Sequence, residues 1–234
     1  MHVLIVGDGA MGSILSQELL AGDHQVFISA DLHNVPEHRF DVLIDFSHPD
    51  NLTRLCELSA KRKLPAVIAT TGLTTAQFEQ IDQLAQSVPV LYSANYSLGV
   101  ILMNKIVKQV TQALHDNFDI EIIEKHHHHK LDSPSGTANM LLNSIQSALP
   151  FAHDVKHGRQ GMAKRKPGEI GMHSVRGGAY PGEHEVIFAG DDEVFSITHQ
   201  AGSKRIFVSG AILGAHWIVE QQPGRYSMED LLAI

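Results

Sequence analysis

Through the first hundred positions, short apolar runs alternate with stretches whose apolar residues fall at helical spacing. Residues 2–6 read HVLIV, β-branched at Val3, Ile5 and Val6, as expected of a parallel strand buried on both faces. A Gly-rich turn follows at Gly7 to Gly12. Residues 13–21 (SILSQELLA) then place Ile14, Leu15, Glu18 and Leu19 at helical spacing, and the pattern stops at Gly22. Four more strands are predicted at 25–30 (QVFISA), 41–46 (DVLIDF), 65–69 (PAVIA) and 88–91 (VPVL). Helices are predicted at 51–63 and 74–86, the latter with Thr74 or Thr75 as N-cap. Strands alternating with 10–15-residue helices predict βαβ units and a parallel sheet.

After about Ser97 the pattern changes. Residues 98–115 form a long amphipathic stretch with Gly99, Met103, Ile106, Val107, Val110 and Leu114 on one stripe. A strand is predicted at 118–123 and a helix at 139–148. Residues 171–207 are rich in strand-like segments, MHSVRGG, HEVIFAG, EVFSITHQ and RIFVSG, expected to form an antiparallel or mixed sheet. Residues 211–219 return to helical spacing. The expected fold is α/β: a Rossmann-type dinucleotide domain with a parallel sheet, plus an α+β domain with a mixed sheet.

Composition narrows the function. One Cys excludes a disulfide framework and a Cys-based zinc ribbon, and it fits a reducing cytoplasm. The first residues enter an apolar strand with no basic n-region, and no apolar run reaches membrane length, so neither a secretory signal nor a membrane partner is expected. The formal net charge of −8 argues against nucleic acid as the main partner.

Gly7-Asp8-Gly9-Ala10-Met11-Gly12 fits G-x-G-x-x-G between a strand and a helix. In that context Gly7 permits the tight turn, Gly9 lets a pyrophosphate approach, and Gly12 permits close helix–strand packing. The motif predicts an acid about 20 residues on. Asp31 lies 24 residues after Gly7, directly after QVFISA. A carboxylate there accepts hydrogen bonds from a ribose diol and repels a 2′-phosphate, which favours NADH, although His33 and Arg39 stand near enough to meet a 2′-phosphate. The expected cofactor is NADH or NADPH.

The second feature is residues 124–138, EKHHHHKLDSPSGTA. If the strand continued, His126 and His128 would share a face and could chelate. No carboxylate or Cys pattern of metal spacing accompanies them, and Lys130 would repel a cation, so no metal is expected. Ser135 is a natural N-cap, and the helix start at Ser135, Gly136 and Thr137 is an anion site. His and Lys beside it suit a carboxylate substrate and proton transfer.

This segment resembles the signature of the dihydrodipicolinate reductase family, E-x-x-H-H-x-x-K-x-D-A-P-S-G-T-A, with Ser133 in place of the usual Ala. Similar family segments are DVLIDFS (41–47), ATTG (69–72), SANYSLG (93–99), SVRGG with GEH (174–178, 182–184) and GRYSM (224–228). The compact Gly-rich turn and the short 31–39 segment resemble a short-form branch. The resemblance implies NAD(P)H-dependent reduction of 4-hydroxy-tetrahydrodipicolinate (dihydrodipicolinate) to tetrahydrodipicolinate in diaminopimelate and lysine biosynthesis. It implies a dinucleotide domain at 1–96 and 207–234, and a substrate domain at 97–206 that also builds a homotetramer through its sheet. Gly7 to Gly12 and Asp31 would hold the cofactor, with Ala69, Thr70, Thr71, Ser93, Ala94, Asn95 and Tyr96 around its nicotinamide half. His126 would be the catalytic acid/base and Lys130 the proton donor. His127, Ser135, Gly136 and Thr137 would meet the carboxylates of a small cyclic dicarboxylate. Another two-domain dehydrogenase of a small amino or dicarboxylic acid, or a silent dinucleotide sensor, are the alternatives. Cys56, Trp217 and Phe207 read as packing, most other His as surface, and Arg176 as either a substrate contact or a brace for its hairpin.

Overall fold

Strands β1 (His2–Val6), β2 (Gln25–Ser29), β3 (Val42–Asp45), β4 (Ala66–Ile68), β5 (Pro89–Tyr92) and a late strand (Gly224–Tyr226) form one sheet, all parallel. Its order is the late strand, then β5, β4, β3, β1 and β2. The connection reverses direction between β1 and β3, and the Gly-rich turn leaves β1 at that point, where open parallel sheets bind ligands. In the computed structural model, which describes residues 1–234, this sheet belongs to a unit made of Met1–Leu98 and Lys204–Ile234. No helix is long and apolar enough to cross a membrane.

Both faces of this sheet are covered, which explains its unbroken apolar runs. Leu4, Val6, Leu43 and Ile68 pack with Leu52, Leu55, Ile81 and Leu84 of α2 (Leu52–Arg62) and α3 (Thr75–Ala85). The alternate residues Val3, Ile5, Val42, Ile44 and Val67 are equally buried. Helix α1 (Ala10–Ala21) comes within contact of Ile5 at Gly12. Thr74 caps α3 in a capping box with Gln77.

One prediction fails here. RIFVSG was read as a strand, and it opens a helix, Arg205–Ile218. Its β-branched residues suggest a strand locally, yet the buried positions Val208, Ala211, Ala215 and Ile218 share one helical face. Small residues let this helix sit directly on the sheet side of its unit. A Cβ at Gly210 would lie 1.8 Å from the Tyr96 carbonyl oxygen, and one at Gly214 would lie 2.5 Å from a Leu91 methyl. Close packing overrides a weak strand propensity.

The second unit is Gly99–Ser203. It holds α4 (Leu98–Leu114, of which Leu98 belongs to the first unit), β6 (Asp119–His126), α5 (Gly136–Ala148), β7 (Asp154–His157), β8 (Glu169–Arg176), β9 (Glu183–Ala189) and β10 (Val194–Gln200). Its sheet is mixed, in the order β10-β9-β6-β8-β7: β9 runs antiparallel to β6 and β10, while β6, β8 and β7 are parallel. One face packs on Met103 and Val107 of α4 and on Ala138, Leu141 and Ile145 of α5. In β6, buried residues alternate from Ile120 to His126, so the strand rule holds to its last residue. The sequence did not announce β7, because DVKH is a mostly exposed edge strand without an apolar face. In chain order the late strand is β11 and the Arg205–Ile218 helix is α6.

Candidate active site

In the first unit, the backbone shapes a seat for an anion. Gly7 has φ +102°, and a Cβ there would lie 2.6 Å from the Phe46 carbonyl oxygen. Gly7 N–H donates to the Ser29 carbonyl, and Phe46 N–H to that of Val6, which fixes the turn against β2 and β3. Gly9 is the N-cap of α1, and no side chain caps its first N–H groups. A Cβ at Gly9 would meet nothing within 4 Å, so the approach is open. An open, uncapped helix N-terminus beside a turn that excludes side chains fits a dinucleotide pyrophosphate. Asp8 and Ala10 are exposed beside it.

Asp31 lies just beyond β2 and is exposed; its Oδ1 accepts the His33 N–H. Arg54 of α2, which the sequence did not single out, donates to the Asp31 carbonyl and stands 2.9 Å from His33 Nε2. Asp31 thus has the Arg54 guanidinium and the His33 ring at hand.

A cavity of about 290 Å³ lies in the same unit. Met11, Ala69, Ala94, Asn95 and Tyr96 line it, as does Phe46. Lys204 and Phe207 complete it, so Phe207, read as simple packing, faces this space. The Tyr96 ring is a wall, because its hydroxyl lies within hydrogen-bond distance of the carbonyls of Ile68 and Leu91 inside the unit. Thr70 is buried and its hydroxyl accepts the Ser47 N–H; the Ser93 hydroxyl donates to the Asn95 carbonyl. Thr70 and Ser93 therefore shape the loops, and Thr71 is exposed at the tip of its own.

In the second unit, a buried carboxylate organises the His-rich segment. Glu124 is fully buried in β6. Its Oε2 lies 2.6 Å from His126 Nδ1 and accepts from Arg176 at 2.7 Å. Its Oε1 accepts from the other arm of Arg176 at 2.7 Å and from Ser135 N–H at 3.2 Å. Burial alone would raise this carboxyl, but the hydrogen bonds from Arg176, Ser174 and His126 outweigh it and hold it at about 2. An ionised Glu124 demands a proton on His126 Nδ1, so Nε2 is the ring nitrogen left to exchange a proton. Gly182 guards that edge, since a Cβ there would lie 3.1 Å from Nε2.

The four histidines separate in role. β6 ends at His126 and the chain turns, so His126 and His128 do not share a strand face. His127 N–H donates to the Tyr180 carbonyl. His128 and His129 are exposed, with their Nε2 atoms 2.9 Å apart. Lys130 is partly buried and bonds Asp132 at 2.7 Å; the ammonium holds the Asp132 carboxyl below its usual range.

Ser135 takes its expected place as N-cap of α5. Its hydroxyl accepts the Ala138 N–H as N-cap and lies 2.9 Å from His184 Nε2, while its own N–H goes to Glu124. Ser135 is buried and both polar groups serve the fold, so it shapes the anion seat from beneath. Gly136 opens onto free space, and Thr137 follows it in the first turn of α5.

Sequence reading missed three members: Glu124, His184 and the role of Arg176. The 124–126 alternation was a usable signal for Glu124, since strand neighbours two apart share a face. His184 and Arg176 arrive from β9 and β8 through sheet register, opposite Glu124 and His126, which no local pattern displays. The His184 ring packs edge-on against His126 at 5.2 Å. Burial, then the charge of His126, push the His184 imidazole down to about 4. The unfolded chain binds its proton near 6.5, so this contribution is complete above pH 6.5 and is lost as pH falls toward 4. Between pH 7 and 5 the second unit is expected to lose about 2 kcal/mol from this group. Thermal melts across that range check it: His184→Gln should flatten the acid slope, and an unchanged slope would refute the assignment.

Comparison with known proteins covers the whole chain. A family model described as dihydrodipicolinate reductase, N-terminus, matches residues 16–96, and one described as dihydrodipicolinate reductase, C-terminus, matches residues 99–232. The chain is 44% identical over 233 residues to the 4-hydroxy-tetrahydrodipicolinate reductase of Brachyspira hyodysenteriae, covering 100% of both chains. It is 42% identical over 240 residues to that of Caldanaerobacter subterraneus subsp. tengcongensis, covering 96% of this chain and 95% of the other. A solved structure of dipicolinate-bound dihydrodipicolinate reductase from Paenisporosarcina sp. TG-14 shares the fold, with a TM-score of 0.78, 24% identity and coverage of 98% and 99%.

Proposed function

The chain belongs to the dihydrodipicolinate reductase family, and from that premise we propose how its own residues carry the reaction. The protein is an NAD(P)-dependent oxidoreductase that reduces 4-hydroxy-tetrahydrodipicolinate in the lysine and diaminopimelate pathway. The alternative of another two-domain dehydrogenase of a small amino or dicarboxylic acid falls with that membership.

A bound nicotinamide dinucleotide supplies the hydride. The first-turn N–H groups of α1 hold its pyrophosphate, Asp31 its ribose, and the cavity bounded by Met11, Ala69, Ala94 and Asn95 its nicotinamide half. The start of α5, at Gly136 and Thr137, holds a substrate carboxylate, with His127 beside it. His126 Nε2 gives the proton, and the Lys130 ammonium stabilises charge building on the ring and is a second donor. Asp132 keeps Lys130 in place without using all three of its N–H groups. The observation that carries this reading is the fully buried, ionised Glu124 against His126 Nδ1, which holds one ring proton on Nδ1 and leaves Nε2, on the opposite edge of the ring, to take and give the other. The test is a coupled assay in which the upstream synthase, fed with pyruvate and aspartate semialdehyde, supplies substrate and nicotinamide absorbance is followed. No oxidation with cofactor bound would overturn the reading.

Of the two cofactors, NADH is the preferred one in this proposal. Asp31 repels a 2′-phosphate, while the Arg54 guanidinium beside it moderates that repulsion. Asp31→Asn is expected to raise kcat/KM for NADPH relative to NADH by about tenfold, or 1.4 kcal/mol. An unchanged ratio would remove Asp31 from the specificity site. The remaining parts of the proposal are a cytoplasmic homotetramer built through the second unit's sheet, whose Val175 and Val194 are exposed at 43% and 66%. Light scattering on a sizing column and cell fractionation check both.

A further inference from the structure

One carboxylate and one guanidinium close both ends of the loop that carries Lys130. At its entry, Glu124 holds His126, and Gly177 N–H donates to the His126 carbonyl. At its exit, Glu124 accepts the Ser135 N–H, and Arg176 donates to the Asp132 carbonyl at 2.8 Å. Arg176 reaches both from the end of β8, where it stands in register with His126. Its paired contacts to Glu124 are the two-pronged geometry that only Arg offers.

Two physical consequences follow. The Glu124 charge keeps one proton of His126 on Nδ1, so any proton the ring gives up leaves from Nε2. The same charge lies directly beneath the helix start proposed to hold a carboxylate, where it would repel a dianionic ligand unless compensated. Arg176 supplies that compensation from within the protein. We propose that Glu124 and Arg176 are positioning residues with separable duties: Glu124 sets the proton donor through His126, and Arg176 keeps Glu124 from repelling the dicarboxylate. The inference rests on the reading that His126 gives the proton and that α5 begins at a carboxylate seat.

The two duties predict different kinetics. Glu124→Gln keeps the shape but offers His126 an amide donor, which favours the opposite tautomer and removes the negative partner that supports a protonated ring. It should lower kcat about a hundredfold or more, leave KM for the dicarboxylate within about threefold, and move the fall of kcat at rising pH to lower pH. Arg176→Gln leaves the carboxylate uncompensated and should raise KM about tenfold or more. The double variant Glu124→Gln/Arg176→Gln removes both charges. It should return KM to near the wild-type value while kcat stays low, a pattern that a merely structural role would not produce.

The experiment is steady-state kinetics on the full-length protein in the coupled assay. Wild type, His126→Gln, both single variants and the double variant are compared, with NADH affinity by fluorescence titration and melting temperature as controls for folding. If Arg176→Gln does not fold, Glu124→Gln and the double variant still decide. A Glu124→Gln kcat within threefold of wild type, or a double-variant KM at or above ten times the wild-type value, would overturn the inference. Retained activity in His126→Gln would instead sink the functional reading beneath it. Loss in His126→Gln with no loss in Glu124→Gln would sink the positioning role alone.

Discussion

His126→Gln is expected to lower kcat by about 10²- to 10⁴-fold, the range that one positioned proton donor contributes. The fold should survive, because Gln fills much of the same space and its amide can still donate to Glu124, the partner that matters for burial. NADH affinity should be unchanged, since the dinucleotide seat is built from residues of the other unit. Lys130→Ala should cost a comparable factor in kcat and also raise KM, because its ammonium serves both the developing charge and the bound carboxylates. Removing Lys130 frees only an Asp132 that is already 59% exposed at its side chain, so stability should barely move. Coupled-assay kinetics with parallel NADH titrations measure all of this. A kcat within threefold of wild type in His126→Gln would transfer the proton-donor role elsewhere.

The second large effect concerns the Gly-rich turn. A Cβ at Gly12 would lie 2.0 Å from the Gly7 carbonyl oxygen, a backbone atom of a residue whose own N–H is tied to the Ser29 carbonyl of β2. Gly12→Ala must therefore push α1 away from the turn and from Ile5. Its cost is expected at about 3 kcal/mol, which for a unit of this size lowers the melting temperature by about 10 °C, and NADH affinity should fall at least a hundredfold. Gly9→Ala is the control. Its Cβ enters open space with an ordinary φ of −70°, so the melting temperature should hold. Its methyl group would still stand where a pyrophosphate approaches, so NADH affinity alone should drop. Equal melting temperatures for Gly12→Ala and wild type would mean that the turn is looser than its contacts imply.

Several elements were legible because their causes are local. HVLIV reads as a strand buried on two faces, since its short apolar run is rich in β-branched residues and ends at a Gly-rich turn. Gly7, Gly9 and Gly12 announced the turn through their spacing between a strand and a helix, and close approach in the structure explains Gly7 and Gly12 separately. Thr74 as cap of α3 followed from its own side chain. RIFVSG was misread because its local propensity favours a strand, while the contacts that make it a helix, Gly210 on Tyr96 and Gly214 on Leu91, lie more than a hundred residues away in sequence.

What the sequence by itself determined is most of the strands and helices of the first unit, the Gly-rich turn between β1 and α1, and the family signature that contains His126 and Lys130, because periodicity, glycine spacing and a dense signature act within a few residues. The tertiary structure alone decided how those groups are supported. It brought Arg176 and His184 to Glu124 and His126 through strand register, and it set the Ser135 hydroxyl, legible as an N-cap, beside His184 Nε2. It also placed Arg54 beside Asp31 and drew Phe207 into the cavity wall. These assignments depend on desolvated charges and close packing between distant segments, and such energies exist only once the chain has folded.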